Sequence, residues 1–150
     1  MSKNGGLLKN VAIQRPTSAA SAGTGESTGD MIDMSGFESC LLLLHLGLAT
    51  STAVVTLTAK QGATTTSTGA ATLAGTTCTV TETTAGVADN QILAMDIVNP
   101  TDRYIWPIVT ITTANCVIDG ITAIQYGAKA APTTHKGVYH AVTNITPAEA

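Results

Sequence analysis

RYIWPIVTITTANCVIDGITAIQYGA (residues 103–128) decides how this chain reads. It holds the only tryptophan, two of the three tyrosines and just two charged residues, Arg103 and Asp119. Branched and aromatic side chains at this density favour extended backbone, because they pack on a pleated surface. Tyr104 and Trp106 would share one strand face, with Ile105, Pro107 and Val109 on the other. Pro107 has no N–H for a ladder, which places it on a strand edge or at a bulge. Ala114-Asn115 reads as a tight connection, so the stretch predicts a hairpin of residues 103–113 and 117–126 with at least one face buried against an opposing sheet.

The same pattern extends outward. FESCLLLLHLGL (37–48) and AVVTLTAK (53–60) read as strands, the second with Val55, Leu57 and Ala59 on one face and Val54, Thr56, Thr58 and Lys60 on the other. TTCTVTET (76–83) alternates more weakly. QILAMDIV (91–98) is bounded by Asp89-Asn90 before and Asn99-Pro100 after, both turn signals. QGATTTSTGAAT (61–72) suits an exposed loop, and VYHAVT (138–143) could add a late strand. No segment carries a sustained 3.6-residue apolar period between caps. The expectation is an all-β protein, a β-sandwich of jelly-roll type. Residues 1–35, broken by Gly5, Gly6, Pro16 and SAASAGTGESTGD, form an extended N-terminal arm or a disordered terminus. Residues 36–128 form the sandwich, and 129–150 an extended C-terminal tail that packs on the domain or on a neighbour.

Composition narrows the function. Only 11% of residues are charged, against about 25% in ordinary soluble domains, and between Glu38 and Glu82 the sole charge is Lys60. Such a bland surface calls for cover by copies of itself or by a larger partner. A net charge of −3 without a basic cluster argues against nucleic acid. SCLLLLHLGLATSTAVV (39–55) is strongly apolar over about ten residues, where a membrane helix needs about 20. The N-terminus shows no apolar signal region, so synthesis in the cytoplasm is expected. Cys40, Cys78 and Cys116 then read as reduced, buried thiols, an odd number without metal-ligand spacing.

The residues capable of chemistry do not assemble into a known constellation. His45 lies inside LLLLHLGL and reads as a core or interface histidine. His135 and His140 sit in a Gly- and Pro-flanked tail, five residues apart, a spacing that suits no regular ligand face. Asp96 and Asp119 could face each other as a glycosidase pair, but solvent-facing strand charges are the plainer reading, with Asp96 pairing Arg103 or Lys129. GTGESTG (23–29) has glycines but no lysine, and no strand and helix flank it, so it is not a phosphate loop. No catalytic, cofactor-binding or metal-binding residue is expected, and no cofactor.

DIVNPTDRYIWPIVT (96–110), ANCVIDGITAIQYGA (114–128), PTTH (132–135) and TPAE (146–149) together carry a resemblance. The chain resembles small virion proteins of tailed bacteriophages, densely over its last third and loosely over residues 37–60. The resemblance implies a head decoration (cement) protein: a β-rich, trimeric, non-enzymatic subunit that binds the major capsid protein on the outer surface of the capsid. The alternative is a jelly-roll receptor- or glycan-binding module of a phage tail or fibre, presenting loops such as 61–76 to ligands.

Overall fold

The computed structural model of the protein describes residues 6–83, 86–130 and 133–138. After a single 3-10 turn at Leu7–Lys9, everything regular in them is antiparallel strand. These are β1 (Ala12–Thr17), β2 (Ala20–Thr28), β3 (Ile32–Asp33), β4 (Ser39–Ala49), β5 (Val54–Gly62), β6 (Ala71–Thr72), β7 (Cys78–Thr81), β8 (Ile92–Val98) and β9 (Tyr104–Tyr126). The all-β expectation holds.

The organising element is β9, 23 residues long. The expected hairpin is absent; residues 103–113 and 117–126 do not pair with each other. One edge of β9 is taken by β5 over residues 104–112 and then by β4 over residues 116–126. Because β4 and β5 run end to end, 39–62 and 104–126 make one long ribbon. A two-residue hairpin needs positive φ at its central positions. Here only Thr113 (φ 72) supplies it, and Ala114 and Asn115 do not. The partner strip breaks at the same level, at Thr52 (φ 73), and the Thr50 N–H donates to the Asn115 carbonyl at 2.8 Å. The stretch bends without reversing.

Along the opposite edge of β9 lie β3, β2 and β1, in that order from residue 104 to residue 125. The N-terminal segment is therefore extended, but as three strands of the same sheet, so a boundary at residue 35 does not divide the structure. Its composition hid this, because β2 is exposed along almost its whole length and carries no apolar alternation. β8 extends the sheet beyond β4, and β6 and β7 extend it beyond β5.

The bend in the ribbon makes two layers that share β9. One contains β8, β4, the second half of β9 and β1; the other contains β7, β6, β5, the first half of β9 and β3, while β2 follows β9 across the bend from Ile108 to Ile118. A strand that changes layer at a bend is the standard way to form a sandwich corner. A single apolar cluster lies between them, taking Cys40, Leu42, Leu44 and Leu46 from β4, Val55, Leu57 and Ala59 from β5, and Leu93, Met95 and Ile97 from β8. From β9 it takes Ile105, Val109, Ile111, Ile118, Ile121 and Ala123. The alternation expected for residues 53–60 is observed. The ladder defines a curled antiparallel sandwich; the finer jelly-roll winding is not something the ladder defines.

Pro107 lies in the interior of the sheet, opposite Ala59, and not at an edge. Its carbonyl accepts the Gly29 N–H at 2.8 Å. In a strand the N and C=O of one residue face the same neighbour, so the donorless nitrogen points at residues 29–31. There β2 has ended and β3 has not begun. The irregularity expected at this proline is on the neighbouring strip.

Residues 133–138 run beside β1. The Ile13 N–H donates to His135 Nδ1 at 3.1 Å, the Lys136 N–H to the Ile13 carbonyl at 2.8 Å, and the Thr133 hydroxyl to the Val11 carbonyl. This part of the tail packs on the domain. The strand expected at 138–143 lies, beyond Val138, outside the described residues.

Candidate functional site

The sheet gives His45, His135 and the acids Asp96 and Asp119 separate surroundings. His45, on the outer face of β4, is half-buried with Nε2 3.3 Å from the Thr122 hydroxyl on β9. His135 uses Nδ1 to accept the Ile13 N–H, which makes it a fastening for the tail. His140 lies outside the described residues. Asp96 stands opposite Leu41, whereas Asp119 lies beside the step between His45 and Leu46. That separation along β4 is about 15 Å, beyond the roughly 5–9.5 Å of a glycosidase carboxylate pair. Asp96 instead accepts the Tyr126 hydroxyl with both oxygens, at 2.8 and 2.9 Å, across β4. That bond holds the proton and pushes the Tyr126 hydroxyl above the ordinary tyrosine range.

Arg103 pairs with Asp33 and not with Asp96. Its Nε and Nη2 donate to Asp33 Oδ1 and Oδ2 at 2.9 and 2.8 Å, a bidentate fork across the β3–β9 end of the sheet. The guanidinium holds the Asp33 carboxyl down at about 2. It also stacks on the Tyr104 ring at 5.0 Å, and that ring lies 6.4 Å from the Trp106 ring. The fork lines an open groove of about 500 Å³ formed by residues 34–38, 99–103 and Lys129. The Arg103 guanidinium is already held by Asp33, so the fork is not free to take an anion.

Glu82 is the acid that sequence reasoning missed. It is buried, 2% exposed, and its two carboxylate oxygens accept the N–H groups of Val87 and Ala88 at 3.0 and 2.7 Å. Asp89 does comparable work, accepting the Ala49 N–H at 2.8 Å. Both acids close the bend end of the sandwich around Cys116. Burial, with Asp89, Glu82 and Asp119 nearby, pushes the Cys116 thiol up. Burial, with Asp96 nearby, pushes Cys40 up to about 12. These thiols are protonated and unreactive at neutral pH, while Cys78 is half-buried. GTGEST lies within β2, where its glycines and hydroxyls make an exposed strand and no loop.

Among the described residues no group of three or more His, Cys, Asp or Glu side chains could hold a metal ion. Nor, among the described residues, is any helix long and apolar enough to cross a membrane.

The functional features that remain are surfaces. β2 is exposed on both faces and arches over a small cavity of about 140 Å³, with Val109, Ile111 and Ile118 among its lining residues. β8 ends its layer, and the outer face there carries Ile92 (54% exposed), Ala94 and Val98 (60% exposed) beside half-buried Leu41, Leu43 and Ile124. A groove of about 290 Å³ separates residues 96–101 from residues 73–76, and Gln61 spans one end by bonding to Thr101 at 2.7 Å. No protein-family model matches the chain, and no curated protein sequence matches it.

Proposed function

We propose that this protein is a non-enzymatic structural protein of a bacteriophage virion: a decoration (cement) subunit that binds the outer face of the major capsid protein shell as a homo-oligomer, a trimer, and stabilises it. The observation that carries this reading is the surface of the sheet. A nine-residue strand exposed on both faces and a second, apolar edge strand are features that need covering, because unpaired strand edges seek partners. The low charge of the chain and the phage resemblance of residues 96–149 support the same reading. Among the described residues His45 and His135 are each tied to the fold by a hydrogen bond, which fits a structural role for both. A subunit of this kind acts by mass action: contacts repeated over many copies favour the assembled shell.

Cryo-microscopy of intact particles tests the proposal. Copies on the head surface at symmetry-related positions are the expected result. Copies on the tail or fibre, with binding on a glycan array or to host cells, would replace it with the receptor-binding alternative.

A further inference from the structure

β8 has one partner. The Leu46 N–H donates to the Gln91 carbonyl at 2.9 Å and the Asn99 N–H to the Glu38 carbonyl at 3.0 Å, which sets the phase of the β4–β8 ladder. Residues 93, 95 and 97 then turn their backbone groups toward β4, and their side chains are buried. In an antiparallel strand the alternate residues face the other way. Ile92, Ala94, Asp96 and Val98 therefore point their N–H and C=O groups away from the sheet, and among the described residues no strand receives them.

Exposed edges are normally blunted by lysine, proline, bulges or a covering segment. β8 has no lysine or proline, and among the described residues no strand covers this edge: its register with β4 is unbroken over seven pairs, and its one charge, Asp96, is held by Tyr126. The edge of β1 shows what a blunted edge looks like here, since residues 133–138 lie along it.

We propose that β8 pairs antiparallel with β8 of a second copy, about a twofold axis at Met95. This is the one twofold register that pairs all four outward residues. It sets Ile92 opposite Val98 and Ala94 opposite Asp96, twice each. The two most exposed apolar side chains of the strand become neighbours across the joint. Each Asp96 meets the smallest side chain on the edge and not the other Asp96, so no like charges oppose one another. Both outer faces lie on the same side of the joined sheet, which makes the patch of Leu41, Leu43 and Ile124 continuous between copies. An isologous contact joins subunits in pairs, so it stands whether or not the chain also closes a threefold ring, which it would link to the next ring.

The test is sedimentation of the full chain across a concentration range, with circular dichroism as the control for folding. Ala94 is exposed, so substitutions there leave the core untouched. Ala94→Asp places like charges opposite each other twice, and such pairs are destabilising; the expected result is a halving of the associated mass, dimer to monomer or hexamer to trimer. Ala94→Lys places opposite charges there and should keep the doubled mass. A wild-type chain that never forms even-numbered species overturns the proposal. So does an Ala94→Asp variant that associates as the wild type does, or an Ala94→Lys variant that loses association equally.

Discussion

The two halves of β9 have similar composition but different surroundings. From Tyr104 to Val109 every side chain is buried: Ile105 and Val109 in the core between the layers, Tyr104, Trp106 and Ile108 on the opposite face. Gly62 helps make this possible, since a Cβ there would come within 3.2 Å of the Trp106 ring. From Cys116 to Tyr126 the strand buries mainly one face, and Thr122, Ile124 and Tyr126 are only half-covered. Strand length and apolar content do not show which half anchors the fold. The second covered face does, and it belongs to the half that carries the tryptophan.

Substitutions can break this contrast or sharpen it. Trp106→Ala should have the largest effect, about 3–5 kcal/mol, read from chemical denaturation; a loss under 1 kcal/mol would mean that the doubly covered half is not the anchor. Ile121→Ala removes an inward side chain of the other half and should cost about 2–4 kcal/mol in the same measurement. Gly120→Ala should cost about 1–3 kcal/mol, because φ is +126° and the added carbon would stand 2.8 Å from the Thr17 carbonyl oxygen. Ile124→Ala, on the half-covered face, should cost about 1 kcal/mol or less. A loss as large as that of Ile121→Ala in a dilute sample would erase the difference between the faces.

The smallest effect concerns the Asp33–Arg103 fork, which is partly exposed and therefore weakened by solvent screening. The folded-state pKa of Asp33, about 2, lies below its ordinary value of 3.8. The stabilisation is therefore complete above about pH 4 and is lost as pH falls through about 2. Asp33→Asn should flatten this part of the stability curve, measured by denaturation between pH 5 and 2. An unchanged acid limb would show that the fork does not contribute.

Where side chains carry the pattern, the sequence was legible. Val55, Leu57 and Ala59 alternate because one face of β5 is core, and Asn90 and Asn99 mark the ends of β8 with φ of 55 and 50. β1 to β3 were less legible because backbone pairing with β9, and not apolar burial, holds β2 in place. The false hairpin arose because Ala114-Asn115 has polar, turn-like chemistry, whereas the direction of the strand there is set by partners some 60 to 75 residues earlier. The same distance hid the fork, whose members are 70 residues apart. His45 is half-buried and bonded to a neighbouring strand, close to the plain reading of a histidine inside an apolar run.

Because β9 pairs with both long strips, its position in the chain also governs how the protein is made. The β4–β9 and β5–β9 ladders cannot close until residues 104–126 have left the ribosome, although β4 and β5 are complete by Gly62. Sixty-four further residues take about 3–13 s at roughly 5–20 residues per second. During that interval SCLLLLHLGLA lacks the central strand that will cover one of its edges. The nascent chain is then open to wrong pairing, and a chaperone that holds apolar strands would act on this protein before its last third appears.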